Sequence, residues 1–246
     1  MKKESFWIAA LVAGLGQAVL SMPAMAEEKP KNETEQKIAE SLEKVVFVPH
    51  DVGAPKVTEA GGVRGIGSAA KLQVLAPERL TLSLSPSPTL YWYVSKPTES
   101  PVRFTLLSDD PNIIEPILDV DLGTRSGPAI YSIPLAQYGV RLASKRQYSW
   151  SVTVSSADGA PPEEPVSQTW LEHSPSAKLD PFLATTSPFN QTVEFAANGY
   201  WYDAINMVSR QIEAGDQSMP WHEIRARLLD DAKLELAAKF DRQLSQ

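Results

Sequence analysis

Between residues 71 and 174, hydrophobic and polar positions change places every second residue, in short runs broken by Pro, Gly, Ser and Asp. A strand sends successive side chains to opposite faces, so this period predicts antiparallel strands with one face on a core. The clearest run is RQYSWSVTV, where Tyr148, Trp150, Val152 and Val154 alternate with Gln147, Ser149, Ser151 and Thr153. TLYWYV places Leu90, Trp92 and Val94 on one face, and PVRFTLL does the same with Val102, Phe104 and Leu106. Further strands are expected near Gln73–Ala76, Ile114–Leu122, Ala129–Ile133 and Val166–Glu172. About seven strands with polar turns point to a β-sandwich.

Beyond His173 the period lengthens to that of a helix. Phe189, Val193, Ala196 and Ala197 share one face, and Trp201, Ala204, Ile205, Val208 and Ile212 share a second. Asn198-Gly199 lies between them, with Gly199 where a left-handed helix cap is expected. WHEIRARLLDDAKLELAAKFDRQL reads as one more amphipathic stretch, led by Trp221, Ile224 and Leu228. The helix–Gly–helix unit is similar to a single tetratricopeptide hairpin, but it does not recur at the repeat period, so it is expected to pack on the sandwich.

The N-terminus has a different pattern. Lys2 and Lys3 precede an apolar run from Phe6 to Leu20, and Ala24 and Ala26 form an A-x-A pattern. These features predict a secretory signal peptide over residues 1–26, cut before Glu27. The run is shorter than the roughly 20 residues needed to span a bilayer, and no later run approaches that length. No transmembrane span is therefore expected once the leader is removed. Residues 27–46 are dense in charge and read as a solvated tether, with a short surface helix around Ile38 and Leu42 as the alternative. Residues 47–70 hold FVPHDVGAPKVTEAGGVRGIG, a glycine-rich entry segment in which Arg64 could anchor a turn.

Composition narrows the chemistry. The chain has no cysteine, so neither a disulfide nor a lipid-bearing cysteine is available. Its formal charge of −7, about −8 without the leader, repels phosphate backbones and makes nucleic acid an unsuitable partner. GGVRGIG matches neither a dinucleotide fingerprint nor a P-loop, and Gly65-Ile66-Gly67-Ser68 misses the nucleophile elbow by one position. His50, His173 and His222 lie in separate segments without metal-ligand spacing, so neither a metal nor a cofactor is expected. Asp119 and Asp121 share one strand face, which reads as charge on an exposed edge before it reads as an acid/base pair. Asp109 and Asp110 read as turn formers.

The aromatic residues allow two readings. Inward-alternating Trp92 and Trp150 are core fillers of a sandwich, whereas Tyr91, Trp92, Tyr93 and Trp201 could instead form a stacking platform for a glycan. The two aromatic strands are similar to the inner faces of an immunoglobulin or fibronectin type III domain. The resulting fold class is mainly β with α: an antiparallel immunoglobulin-like sandwich over residues 71–174, followed by a helical C-terminal subdomain over 175–246.

The collinear order of FVPHDVGAP, GGVRGIG, LSLSPSPTLYWYV, SKRQYSWSV, W-L-E and NGYWYDAI resembles the bacterial family catalogued as domain of unknown function 928, over roughly residues 45 to 230. His50 stands where further prolines are common in that family, and Val63 where threonine is usual. The resemblance implies an exported protein, some similar proteins occurring alongside envelope sensor components, which suggests a role accessory to an envelope sensor or assembly, and it assigns no catalytic residue. The interaction or structural positions singled out are Arg64, Tyr91, Trp92, Tyr148, Trp150, Trp201 and Asp203. The function expected is a non-enzymatic periplasmic interaction module with an envelope protein as partner. Glycan or cell-wall binding or hydrolysis through exposed aromatics is the alternative.

Overall fold

The structure is a computed structural model that describes residues 29–50, 70–154, 167–179 and 185–245. The signal-peptide region and the GGVRGIG stretch with Arg64 lie outside the described residues. Helix α1 (Lys29–Lys44) is followed by strands β1 (Leu72–Val74), β2 (Leu80–Ser83), β3 (Thr89–Val94), β4 (Val102–Ser108), β5 (Leu118–Asp121), β6 (Ala129–Pro134), β7 (Gln147–Val154) and β8 (Ser167–His173). Helices α2 (Pro188–Ala197), α3 (Trp201–Glu213), α4 (Trp221–Asp231) and α5 (Glu235–Leu244) complete the chain.

The strands form two sheets, β1-β3-β6 and β2-β8-β7-β4-β5. All neighbours are antiparallel except β2 and β8, which run parallel, with Leu80 opposite Trp170 and Ser83 opposite His173. This corrects the all-antiparallel expectation. β2 is also the strand that alternation does not reveal: LTLS is buried along its whole length, so it carries no period-2 signal. The strand expected over Ile114–Leu122 shrinks to Leu118–Asp121, because Pro116 has no N–H for the ladder and restrains Glu115 before it.

β3 accounts for the layering. Its residues Leu90 to Val94 are all buried, although alternate residues face opposite ways. The hydroxyl of Tyr91 donates to Asn206 Oδ1 on α3 at 3.0 Å, and the Tyr93 ring meets Phe240 of α5 at 5.2 Å. Gln73, opposite Tyr93 on β1, accepts a hydrogen bond from Ala237 N on α5. This face of the smaller sheet therefore carries the helices. The other face, with Leu72, Val74, Leu90, Trp92 and Val94, turns toward the larger sheet, where β1 lies against β7 and β8. Phe104, Trp150, Val152 and Leu171 of the larger sheet join the same buried cluster as α3, α4 and α5. The helices thus share the core of the strands.

The helical pattern holds with two changes. Ser187 caps α2 by accepting from Asn190 N, Pro188 fills the first turn, and Gly199 at φ +78° ends it in the left-handed conformation. The single stretch expected from Trp221 onward is two helices, broken at Ala232–Leu234, where Lys233 takes φ +60°. At the N-terminus, the segment read as a tether is helical over Lys29–Lys44 and is tied down at its end. Val45 and Phe47 are buried, Phe47 N donates to Asp231 Oδ2 at 3.0 Å, and Val48 N donates to Ala196 O at 3.0 Å.

Candidate functional site

The residues singled out from the sequence converge, but on the interior. Trp92 and Trp150 are each 1 % exposed and Trp201 is fully buried. The indole N–H of Trp201 donates to Leu75 O at 2.7 Å, and its ring meets Phe47 edge-on at 4.8 Å. Trp150 Nε1 donates at 3.0 Å to the Tyr202 hydroxyl, which in turn donates to Trp170 O at 3.1 Å. Burial pushes the Tyr202 hydroxyl up to about 12, and that of Tyr91 likewise. The Tyr148 hydroxyl accepts from Ala143 N at 2.9 Å. Tyr91 and Tyr93 are buried as well, which corrects the stacking-platform reading: Tyr91, Trp92, Tyr93 and Trp201 offer no open face to a glycan.

Asp203 completes this arrangement. It lies in the first turn of α3, and its Oδ2 accepts from Leu84 N at 2.8 Å just past the end of β2. Desolvation pushes its carboxyl up to about 6, against hydrogen bonds from Leu84, Ser83 and Ser85 that favour the charge. The run Trp201-Tyr202-Asp203 therefore acts as a latch: three consecutive side chains bind backbone from Leu75, Trp170 and Leu84, each in a different part of the β layer.

A second buried network was missed in the sequence. Arg225 donates to Asp241 Oδ2 and Oδ1, both at 2.7 Å, and to Ser209 Oγ at 3.0 Å. His222 Nδ1 lies 2.9 Å from Asp241 Oδ1. Serine, histidine and aspartate are the residues of an acyl-transfer triad, but their order is wrong for that chemistry. Arg225 separates Ser209 from Asp241, Ser209 is fully buried, and the histidine's hydrogen bond is to the aspartate. The arrangement ties α3, α4 and α5 together. Its trace in the sequence was a charge on each apolar stripe: Arg225 beside Trp221, Ile224 and Leu228, and Asp241 beside Ala237 and Ala238.

The remaining acids are engaged locally. Arg103 Nε donates to Asp119 Oδ1 at 2.6 Å, and this guanidinium holds the Asp119 carboxyl below the usual range. Asp121 Oδ1 accepts from Gly123 N at 2.6 Å. Asp110 accepts from Asn112 N and pairs with Arg146 at 3.1 Å. Among the described residues, no three His, Asp or Glu side chains gather to hold a metal ion. A cleft of about 360 Å³ beside Phe47 is lined by Gln73, Ser167 and Asp231, whose oxygens already accept from Ala237 N, Val74 N and Phe47 N.

The β4–β5 connection carries several exposed apolar side chains. Of the eight large apolar side chains exposed among the described residues, four lie between residues 107 and 117. They are Leu107 at 39 %, Ile113 at 43 %, Ile114 at 89 % and Ile117 at 37 %. Pro111 and Pro116 bracket Ile113 and Ile114, and Ile117 N donates to Leu106 O at 2.8 Å, so the connection is held by backbone bonding. Nothing in the hydropathy pattern set these isoleucines apart from those of a buried strand.

In a comparison with curated proteins, no match to the chain is found. Residues 59–241 match the family model described as Domain of Unknown Function (DUF928), and with three quarters of its length covered the chain belongs to that family.

Proposed function

We propose that the protein is an exported, non-enzymatic interaction module of the bacterial envelope, and that it meets its partner through the β4–β5 connection. The observation that carries this reading is that four of the eight large apolar side chains exposed among the described residues, Leu107, Ile113, Ile114 and Ile117, fall at the end of β4 and in the connection to β5, while the motif aromatics fill the interior. Exposed apolar side chains close together in the chain favour an interaction role, and a chain charged at −7 has little reason to keep them in water. The leader over residues 1–26 supports export, with the mature chain beginning at Glu27 and working in the periplasm.

We read the two-sheet body as immunoglobulin- or fibronectin type III-like. In support, the Tyr148 hydroxyl binds back to the backbone five residues upstream, as the tyrosine corner of such sandwiches does. The sandwich then serves as a rigid mount, with the latch fixing the helices to strands of both sheets and the β4–β5 connection at the far end of the larger sheet.

A photoreactive benzophenone side chain placed at Ile114 tests the role of this connection in envelope extracts. One discrete adduct is expected from position 114, and none from the same group at Tyr138, which is 41 % exposed. Equal adducts from both positions, or none from 114, refute it. N-terminal sequencing of the fractionated protein tests the export reading, and a chain that still begins at Met1 contradicts it.

A further inference from the structure

The larger sheet treats its two edges differently. At one end, β2 is closed by α3 and the turn before it, with Leu82 N reaching Gly199 O and Leu84 N bound to Asp203. At the other end, β5 pairs with β4 alone among the described residues. We propose that β5 accepts an extended segment of a partner protein as a sixth strand, and that this segment alternates apolar and basic residues. The proposal rests on the interaction-module reading and specifies the surface and the occupant.

The alternation follows from the pleat. Leu118 and Val120 are partly buried and pack on the core, whereas Asp119 and Asp121 are exposed. A strand added beside β5 continues both rows, with apolar side chains next to Leu118 and Val120 and the intervening ones next to Asp119 and Asp121. Opposite charge in that second row stabilises the pairing and like charge opposes it. The charge beyond the strand has the same sign. Residues 108–121 hold Asp109, Asp110, Glu115, Asp119 and Asp121 and no basic residue; among the described residues, Arg103 pairs with Asp119 and Arg146 with Asp110 from neighbouring segments. Ile113, Ile114 and Ile117 extend the apolar contact past the end of the strand.

This charge also argues against the other occupants. A second copy pairing edge to edge would set Asp119 and Asp121 against their own equivalents, and an anionic lipid surface would face the same acids. In strand addition, main-chain bonds supply affinity and alternate side chains supply choice of partner. The acids thus discourage self-pairing and leave the edge open to a basic segment.

Fluorescence anisotropy with labelled nine-residue peptides tests the proposal on the exported chain. The probes are an alternating Val–Lys peptide, the same peptide N-methylated at alternate residues, and an alternating Val–Glu peptide. The Val–Lys peptide is expected to bind at least tenfold more tightly than either other probe. Asp121→Lys is expected to lose that preference and gain affinity for Val–Glu, and Ile114→Asp to weaken Val–Lys binding severalfold, both with an unchanged Tm. Equal binding of the methylated and unmethylated peptides overturns strand addition, and a parent that elutes as a dimer dissociated by Ile114→Asp overturns the choice of occupant. Absence of any peptide binding with the Ile114 adduct intact overturns this proposal alone, whereas loss of both overturns the interaction reading as well.

Discussion

Removing the carboxylate of Asp241 should be the most damaging single change in the helical layer. Asp241 is fully buried and Arg225 is 5 % exposed, and the two share a bidentate pair. Asp241→Asn keeps the shape of the side chain but leaves the guanidinium buried without a counter-charge. Breaking one half of a buried pair costs about 3–5 kcal/mol. In a protein of this size each kcal/mol moves the midpoint by about 2–4 °C, so the Tm should fall by roughly 6–20 °C. Circular dichroism melts and urea titrations of parent and variant measure this directly. The double variant Arg225→Met/Asp241→Leu removes both charges and should recover most of the loss, because a buried pair gains little over a well-packed apolar one. A single variant within about 1 kcal/mol of the parent would refute the reasoning, since the carboxylate would then not compensate the arginine. A double variant as unstable as the single would show that packing, and not uncompensated charge, sets the cost.

Three further outcomes are expected. Tyr202→Phe leaves Trp150 Nε1 without its buried partner, while Trp170 O keeps a hydrogen bond from Thr81 Oγ1, and should cost about 1–3 kcal/mol in urea titrations; a neutral variant argues against the latch. Gly199→Ala should lower the Tm more than Gly215→Ala: both residues have positive φ, but only at 199 would a Cβ lie 3.0 Å from His50 and 3.3 Å from Val48 O. Equal losses would show that the 45–50 segment yields freely. Asp203, whose carboxyl is raised from 3.8 to about 6, binds a proton more readily in the folded than in the unfolded chain. Its contribution to stability is therefore complete below about pH 4 and lost as pH rises through about 6, so melts of Asp203→Asn from pH 4 to 7 should show a shallower decline than the parent.

How far the sequence disclosed the fold depended on how many faces of an element are covered. Strands with one covered face kept their alternation, as in β4 with Val102, Phe104 and Leu106, and were legible. β2, buried along its length between β8 and the start of α3, had no alternation to read. The α2–α3 turn was legible because Gly199 is the residue type such a turn requires. The break between α4 and α5 was not, because Lys233 adopts the left-handed conformation that a sequence reading reserves for glycine or asparagine. The same physics governs the site. Tyr91, Trp201 and Asp203 stood out by type and spacing, but their role depends on which groups lie opposite them, and Asn206 Oδ1, Leu75 O and Leu84 N each come from more than a hundred positions away. Ile113 and Ile114 look identical in composition to core residues, and only the fold shows that they face water.

Partner capture by Ile114→Asp, compared with capture by the parent at matched Tm, tests the central claim most directly: the motif aromatics build the interior and the β4–β5 connection meets the partner. Ile114 is 89 % exposed, so the substitution should leave the melt unchanged and abolish the discrete adduct that a benzophenone side chain at the neighbouring Ile113 forms in envelope extracts when Ile114 is retained. An unchanged adduct with an unchanged melt would contradict the account and place the interaction surface elsewhere on the protein.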